Sequence, residues 1–414
     1  LQKLRISDSA VRDLAAEIEW RKYSMVDLAH YETLERSTAE LSAVKVLELT
    51  KLYEEQKLSK KLIDWEDVLL LCLGMLESEP RILSHVQAQY RFFTVDEYQD
   101  ISPLQQALLD QWLGDRSELC VVGDPRQTIY SFSGAASHFL TGFESRYPEA
   151  NVIQLTRNYR SSNEIVLLAN NVLDAEPLQS QLGNRGAVSV REFKSDHEEV
   201  SWITGRIQEL LNNGTPAREI AVLTRMNFQL EQFEKQLQER GISSQIRGSG
   251  RFFQNPDVLH ASAAIRALSL KADREPLFIE LSNILSSMGW TSKEQSSDKW
   301  ENLNWFIQIM EELGEQVELE EYLRELDERQ RSMHEPIRNA VTLATVHSAK
   351  GLEWDAVFLP SLNEGSFPIH HATSDSGLEE ERRLFYVAVT RAKTKLYLSS
   401  SSQRPASAFL NYLR

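Results

Sequence analysis

The chain has 414 residues, 42% of them hydrophobic and 26% charged, and no apolar run approaches the ~18 residues that a membrane-spanning helix needs. Forty-five basic against 61 acidic residues leave a formal charge of −16, so there is no global attraction to polyanions and any nucleic-acid contact must come from a local groove. A globular protein of roughly two to four domains is expected. The two cysteines, Cys72 and Cys120, each sit in apolar sequence and read as buried thiols in a reducing compartment, which points to the cytoplasm.

Taken in chain order, residues 1 to about 90 read as helical, with Val11, Leu14 and Ile18, then Leu41 and Val44, at helix-face spacing and almost no glycine or proline before Gly74 and Pro80. The opening "LQKLRISDSAVRDLAAEIEW" is amphipathic, without signal-peptide or transit-peptide character, and its start at Leu1 reads as a cut N-terminus. From residue 91 the texture changes. The runs "RFFTVDE", "SELCVVGD" and "ANVIQLTRN" read as strands alternating with helices, the pattern of a parallel sheet wrapped by helices, in which sites gather at the carboxyl ends of strands.

A second α/β series starts at "AVSVREF" (187 to 193) and "EIAVLTR" (219 to 225), each followed by a helical pattern. Residues 271 to about 335 are acidic and helical, and strand texture returns at "AVTLATV" (340 to 346), so a helical insertion is expected to split the second α/β domain.

Five segments carry chemistry. In "FFTVDEYQD", a strand delivers Asp96 and Glu97 to its carboxyl edge, one carboxylate suited to hold a metal ion and the next to activate water. An acidic turn after a buried strand is the plainer reading of such a pair. In "CVVGDPRQTIYSFSGA", Gln127 can accept from water while donating to a phosphate oxygen, and Tyr130 and Phe132 offer faces for bases or fill a core. "LTRNYRSS" places Tyr159 and Arg160 before a helix capped by Ser161 or Ser162, where arginine suits a transferring phosphate or a surface ion pair. "TLATVHSAKGLEWDAVFLP" holds Thr345, His347, Lys350, Gly351 and Glu353 in a polar loop between strands. "EEERRLFYVAVTRAKTKLYL" reads as a helix carrying Arg383, with Arg391 at its end and Leu384, Val387 and Ala388 facing a core.

In this order and wording the segments resemble the UvrD/PcrA/Rep group of superfamily 1 DNA helicases, with "HSAKGLEWDAVFLP" most like the actinobacterial branch and "GSGRFFQNPDV" at 248 to 258 similar to a further family motif. The resemblance covers most of residues 62 to 270 and 336 to 414. It implies an α/β fold of two RecA-like P-loop NTPase-type domains, the first incomplete, with helical insertions. The divisions it implies are a partial first insertion over 1–62, the second half of the first RecA-like domain over 63–154, the second RecA-like domain over 155–270 and 336–414, and a short insertion over 271–335.

The function implied is ATP-dependent 3′–5′ DNA translocation and unwinding in repair, with ATP and Mg2+ as cofactors. Single-stranded DNA, strand–duplex junctions and repair proteins are the implied partners, in the bacterial cytoplasm at the nucleoid. Asp96 would hold Mg2+ through water, Glu97 would be the general base and Gln127 the γ-phosphate sensor. Tyr159 would stack on adenine, Arg160 and Arg391 would reach the γ-phosphate, and Glu353 would read the ribose. Tyr130 and Phe132 would touch single-stranded DNA, with Thr345 and His347 along the DNA and coupling path. Stacking is indifferent to the sugar, which leaves RNA open as a substrate.

The sequence departs from the family pattern in three places. No G-x-x-x-x-G-K-S/T phosphate cradle occurs in the 414 residues, so the chain alone is expected not to hydrolyse ATP. Ser133 stands where the family usually has arginine, and the 271–335 insertion is short for the family. A catalytically degenerate DNA-binding or scaffolding homologue is the alternative.

Overall fold

The computed structural model describes residues 7–173, 176–184, 186–247, 251–271, 275–293, 298–314, 317–331 and 339–413. The glycines of "RGSGRFF" at 248 and 250 lie outside them. The chain divides into two compact units, Leu1–Leu155 and Thr156–Arg414.

The first unit is mainly helical, and its helices start where the sequence supplies caps. Ser7 accepts from the Ala10 amide at 3.0 Å to open Asp8–Tyr23. Asp64 and Asp67 form a reciprocal capping box at Trp65–Ser78, as do Ser102 and Gln105 at Pro103–Leu113, whose proline occupies the first turn. Leu14, Ile18, Tyr31, Val46 and Leu49 form one small core, and Leu73, Leu76, Leu104 and Leu108 another. Between them lies a charged clasp. Lys22, only 2% exposed, donates to Asp67 Oδ1 at 2.9 Å and to Asp64 Oδ2, and Lys57 donates to the same Asp64 oxygen at 2.8 Å. It fastens three helices, Asp8–Tyr23, Ala43–Ser59 and Trp65–Ser78.

Two short parallel strands, β1 (Phe93–Val95) and β2 (Leu119–Val121), pair with Thr94 opposite Cys120. Their exposed face carries Thr94 and Cys120, flanked by Phe92 and Val122, so the expectation of a buried Cys120 is overturned; Cys72 is half-buried. The expected strand in "ANVIQLTRN" is also largely absent. Residues 151–156 form no ladder among the described residues and Val152, Ile153 and Leu155 are exposed, leaving only β3 (Arg157–Asn158). A β-prone run without a neighbouring edge to bond satisfies its backbone with water instead.

The second unit contains a six-stranded, wholly parallel sheet in the order β5-β10-β9-β6-β8-β7, and a small pair of β3 with β4 (Gln179–Ser180). The strands are β5 (Ala187–Phe193), β6 (Ile220–Thr224), β7 (Ser244–Ile246), β8 (Val341–Thr345), β9 (Trp354–Leu359) and β10 (Ala392–Ser401). β6 and β8 are buried at every position, which explains why they read as unbroken apolar runs. Helices Asp196–Asn212 and Leu230–Glu239 seal the core with Val200, Ile203, Ile207, Phe233 and Leu237 against Val222, Leu343 and Phe358. Between β7 and β8 the chain forms a helical cluster with its own core, reaching from Phe252 to Leu326 and centred on Trp305, Phe306 and Tyr322.

Candidate functional site

In the first unit, both strands of the small sheet release their loops at the same carboxyl edge. Main-chain bonds hold the loops together: the Val122 amide donates to the Val95 carbonyl at 2.8 Å, and the Tyr98 amide to the Val122 carbonyl at 2.9 Å. Asp96 and Glu97 sit at this edge, both exposed, with the Asp96 Oδ1 accepting the Glu97 amide at 2.9 Å. Glu97 is in the left-handed region at φ 51°, a conformation that costs a non-glycine residue about 1–2 kcal/mol and is kept where the surroundings impose it.

The two loops are joined by side chains. Gln99 donates through Nε2 to Glu97 Oε2 at 2.5 Å and accepts the Asp124 amide on Oε1 at 3.0 Å. Asp124 in turn accepts from Gln127 Nε2 at 3.1 Å and from Arg126 Nε at 2.8 Å. The structure thus brings Glu97 and Gln127 into one hydrogen-bonded group in the first unit.

Beyond Gln127 the chain turns through Tyr130 and Phe132, whose rings meet edge to face at 6.1 Å. Phe132 is 56% exposed and available as a platform, whereas Tyr130 is half-buried. Burial, followed by the nearby carboxylates of Asp100 and Glu97, pushes the Tyr130 phenol up. Ser133 Oγ donates to the Tyr130 carbonyl at 3.1 Å, closing the turn locally.

In the second unit the predicted residues fall at opposite edges of the sheet. Ser161 Oγ donates to the Ala392 carbonyl at 2.7 Å, which pins the "NYRSS" segment to the start of β10. Helix Asn163–Val172 is capped at Ser162, whose side chain makes no capping bond. Arg160 is ion-paired with Glu353, and Lys393 lies 3.4 Å from the same carboxylate. Burial opposes the Glu353 charge, but Arg160 and Lys393 outweigh it and hold the carboxyl below its usual range. Tyr159 is 68% exposed.

Arg391 follows the C-cap Thr390 of helix Asp375–Val389 and is 1% exposed. Its guanidinium donates to the Val387 carbonyl at 3.0 Å and the Leu352 carbonyl at 3.1 Å. These groups stand at the amino ends of β9 and β10. The expectation that sites of this fold gather at carboxyl ends does not describe them, because Glu353 and Arg391 each precede a strand.

The carboxyl edge holds the other predicted pair. Thr345 ends β8, and its hydroxyl lies 3.0 Å from Ser348 Oγ. His347 begins the following turn, and burial, then the charge of Arg225, depresses its pKa to about 4. Arg225 forks onto Glu381 with Nε and Nη2 to Oε1 at 2.9 and 2.8 Å, and the Ile369 amide donates to Glu381 Oε2 at 3.2 Å.

Gln99, Asp124, Arg225, Glu381 and Lys393 are structural partners that motif reading passed over. Gln99 stood inside a quoted motif, but a glutamine two residues after a carboxylate has no period or spacing that singles it out. Arg225 and Glu381 are 156 residues apart and meet only through the fold.

For a divalent ion, Asp96 offers a carboxylate at a strand edge with one oxygen partly committed to a backbone amide, which suits an ion that keeps most of its waters. Among the described residues no group of three or more His, Cys, Asp or Glu is placed to hold a metal. For a nucleotide, the exposed Tyr159 ring fits a base and the Arg160, Glu353 and Lys393 group fits phosphate and hydroxyls. No described helix is long and apolar enough to cross a membrane.

Comparison with known proteins accords with the resemblance. The UvrD/REP helicase N-terminal domain family matches residues 2–148, and the UvrD-like helicase C-terminal domain family matches residues 153–291 and 275–403. The ATP-dependent DNA helicase UvrD2 of Mycobacterium tuberculosis H37Rv is 36% identical over 443 residues, covering 99% of this chain and 63% of that protein. The ATP-dependent DNA helicase PcrA of Bacillus subtilis is 27% identical over 448 residues, covering 85% of this chain and 60% of its own. PcrA of Leuconostoc citreum is 26% identical over 453 residues, covering 87% and 60%. The chain therefore spans less than two thirds of the length of these relatives. With both domain families matched in order along almost its whole length, the chain belongs to the UvrD-like helicase family.

Proposed function

We propose that the chain is the larger part of an ATP-dependent 3′–5′ DNA helicase or translocase of the UvrD type, acting in DNA repair in the bacterial cytoplasm at the nucleoid. Residues 1–62 would be part of a first insertion, 63–154 half of a RecA-like domain, 155–270 with 336–414 a second one, and 271–335 a second insertion. The observation that carries the reading is the hydrogen-bonded group of Glu97, Gln99, Asp124 and Gln127 at one strand edge, the arrangement that a water-activating base and a phosphate sensor require.

In this reading ATP with Mg2+ supplies the free energy, and the residues divide the rest. Asp96 holds the ion through water, Glu97 takes the proton of the attacking water, and Gln127 reports the γ-phosphate. Arg160 and Arg391 neutralise charge developing on that phosphate, Tyr159 stacks on adenine and Glu353 orients the ribose. Tyr130 and Phe132 hold bases of single-stranded DNA at a junction, with Thr345 and His347 along the same path. The chain by itself has no G-x-x-x-x-G-K-S/T loop, so it would bind nucleotide weakly and not turn it over.

The test is single-strand-stimulated ATP hydrolysis by the full-length gene product beside its Glu97→Gln variant. Stimulated turnover that disappears in the variant is expected. Absence of turnover in the full-length protein would instead favour a degenerate DNA-binding or scaffolding homologue, for which Ser133 is the specific observation.

A further inference from the structure

We propose that Gln99 is a positioning residue for Glu97: its carboxamide ties the base to the loop that carries Gln127 and sets the direction of the Glu97 carboxylate. The proposal rests on the reading of Glu97 as the base.

Gln99 is 1% exposed, and both ends of its amide are used at once, as donor to Glu97 Oε2 at 2.5 Å and as acceptor from the Asp124 amide at 3.0 Å. Among side chains of this shape and length, only the glutamine carboxamide does both. An ionised glutamate has no hydrogen to give Glu97, and asparagine is one methylene too short to span the same gap. The neighbouring glycine fits the same account. A Cβ on Gly123 would stand 2.5 Å from Gln99 Oε1, 2.9 Å from Leu140 Cδ2 and 3.2 Å from the Gln99 backbone nitrogen. Glycine is therefore required there for the space the Gln99 side chain fills.

The consequence is a short chain of three hydrogen bonds from the base to the sensor. Glu97 is held by Gln99, Gln99 by the Asp124 amide, and the Asp124 carboxylate by Gln127 Nε2. A displacement of Gln127 alters the anchor of Gln99 and so the aim of Glu97.

The variants to compare in the full-length protein are Gln99→Glu and Gly123→Ala, with Glu97→Gln as reference. Gln99→Glu keeps the shape and the acceptor for Asp124 but sets a second carboxylate against Glu97, and two carboxylates at that range share a proton. The expected result is a kcat for stimulated ATP hydrolysis lowered by about ten- to a hundredfold, an unchanged KM for ATP and an acid limb of the kcat profile moved to higher pH. Gly123→Ala removes no acidic or amide group but displaces the Gln99 carboxamide, and is expected to lower kcat in the same direction with the same KM.

If Glu97→Gln abolishes turnover while both other variants fold and keep the wild-type kcat and pH profile, the positioning role is overturned and the base is not. If Glu97→Gln itself turns over normally, the base reading fails and takes the proposal with it. Should Gln99→Glu fail to fold, Gly123→Ala decides alone: a folded variant with wild-type kcat overturns the proposal.

Discussion

Arg160 and Glu353 form an ion pair at the amino edge of the six-stranded sheet, the arginine Nε against the Oε2 of the carboxylate. The proposed tasks of these two residues, charge neutralisation on a phosphate and ribose recognition, each require the partner to be released or shared. With side chains 38% and 39% exposed, the pair contributes little to folding, less than about 1 kcal/mol. Arg160→Ala is accordingly expected to lower kcat of the full-length enzyme by about 10³-fold while its melting temperature stays near wild type. A large loss of stability with little loss of kcat would assign the pair to structure instead.

Lys22 should behave in the opposite way. It is almost fully buried among Asp64, Asp67 and Glu54, and removing its charge strands carboxylates in a half-buried setting. Lys22→Met is expected to destabilise the first unit by about 3 kcal/mol, read by urea denaturation. The clasp also carries a pH signature. Burial works against the Asp64 charge, but Lys22 and Lys57 overcome it and depress the Asp64 pKa. Its contribution is therefore complete above the unfolded carboxylate value, about 4, and fades as the solution is acidified below it. In Lys22→Met this acid-dependent loss should be smaller.

His347 predicts a second pH dependence, at higher pH. Its pKa in the folded chain is about 4, against about 6.5 for an unperturbed histidine. A depressed histidine favours the fold while neutral, so its contribution is fully present above about pH 6.5 and is lost as pH falls toward 4. The size is roughly 3 kcal/mol. Denaturation of wild type and His347→Asn across this range should show curves that converge as pH drops; parallel curves would mean that the ring is solvated and titrates normally.

Ser133 supplies the fourth prediction. Its hydroxyl only closes a turn onto the Tyr130 carbonyl, next to the exposed Phe132 ring. Ser133→Arg restores the residue that the family usually has and adds one cation beside the proposed DNA platform. The affinity of the full-length protein for single-stranded DNA should rise, and the slope of log K against log salt should steepen by about 0.7. An unchanged slope would place Phe132 and Tyr130 away from the phosphate backbone.

The second unit was largely legible in the sequence because β6, β8 and their neighbours are long apolar runs, each followed by a helix of clear period, as in Asp196–Asn212 and Leu230–Glu239. The first unit was less so. Val152, Ile153 and Leu155 have strand composition, and Cys120 sits in an apolar run, yet all four are exposed. Hydrophobic sequence records a tendency to be covered, and coverage depends on neighbours that a local pattern does not name. The motifs singled out Asp96, Glu97, Gln127, Arg160 and Glu353, but not Gln99, Asp124 and Lys393, which bind them. Gln99 carries no periodic signal, and Lys393 and Arg225 reach their carboxylates only through long-range packing.

The order of the large sheet bears on how the second unit is made during synthesis. β10, the last of the six strands in chain order, lies between β5 and β9, bonding Leu396 opposite Val188 on one side and Val357 on the other. Until it leaves the ribosome, β5 has no place in the sheet and β9 presents a bare edge, an invitation to wrong partners. The sheet thus waits on the strand that comes last within it. Ribosome stalling or premature termination shortly before residue 392 would release a species prone to aggregate, not a shortened protein.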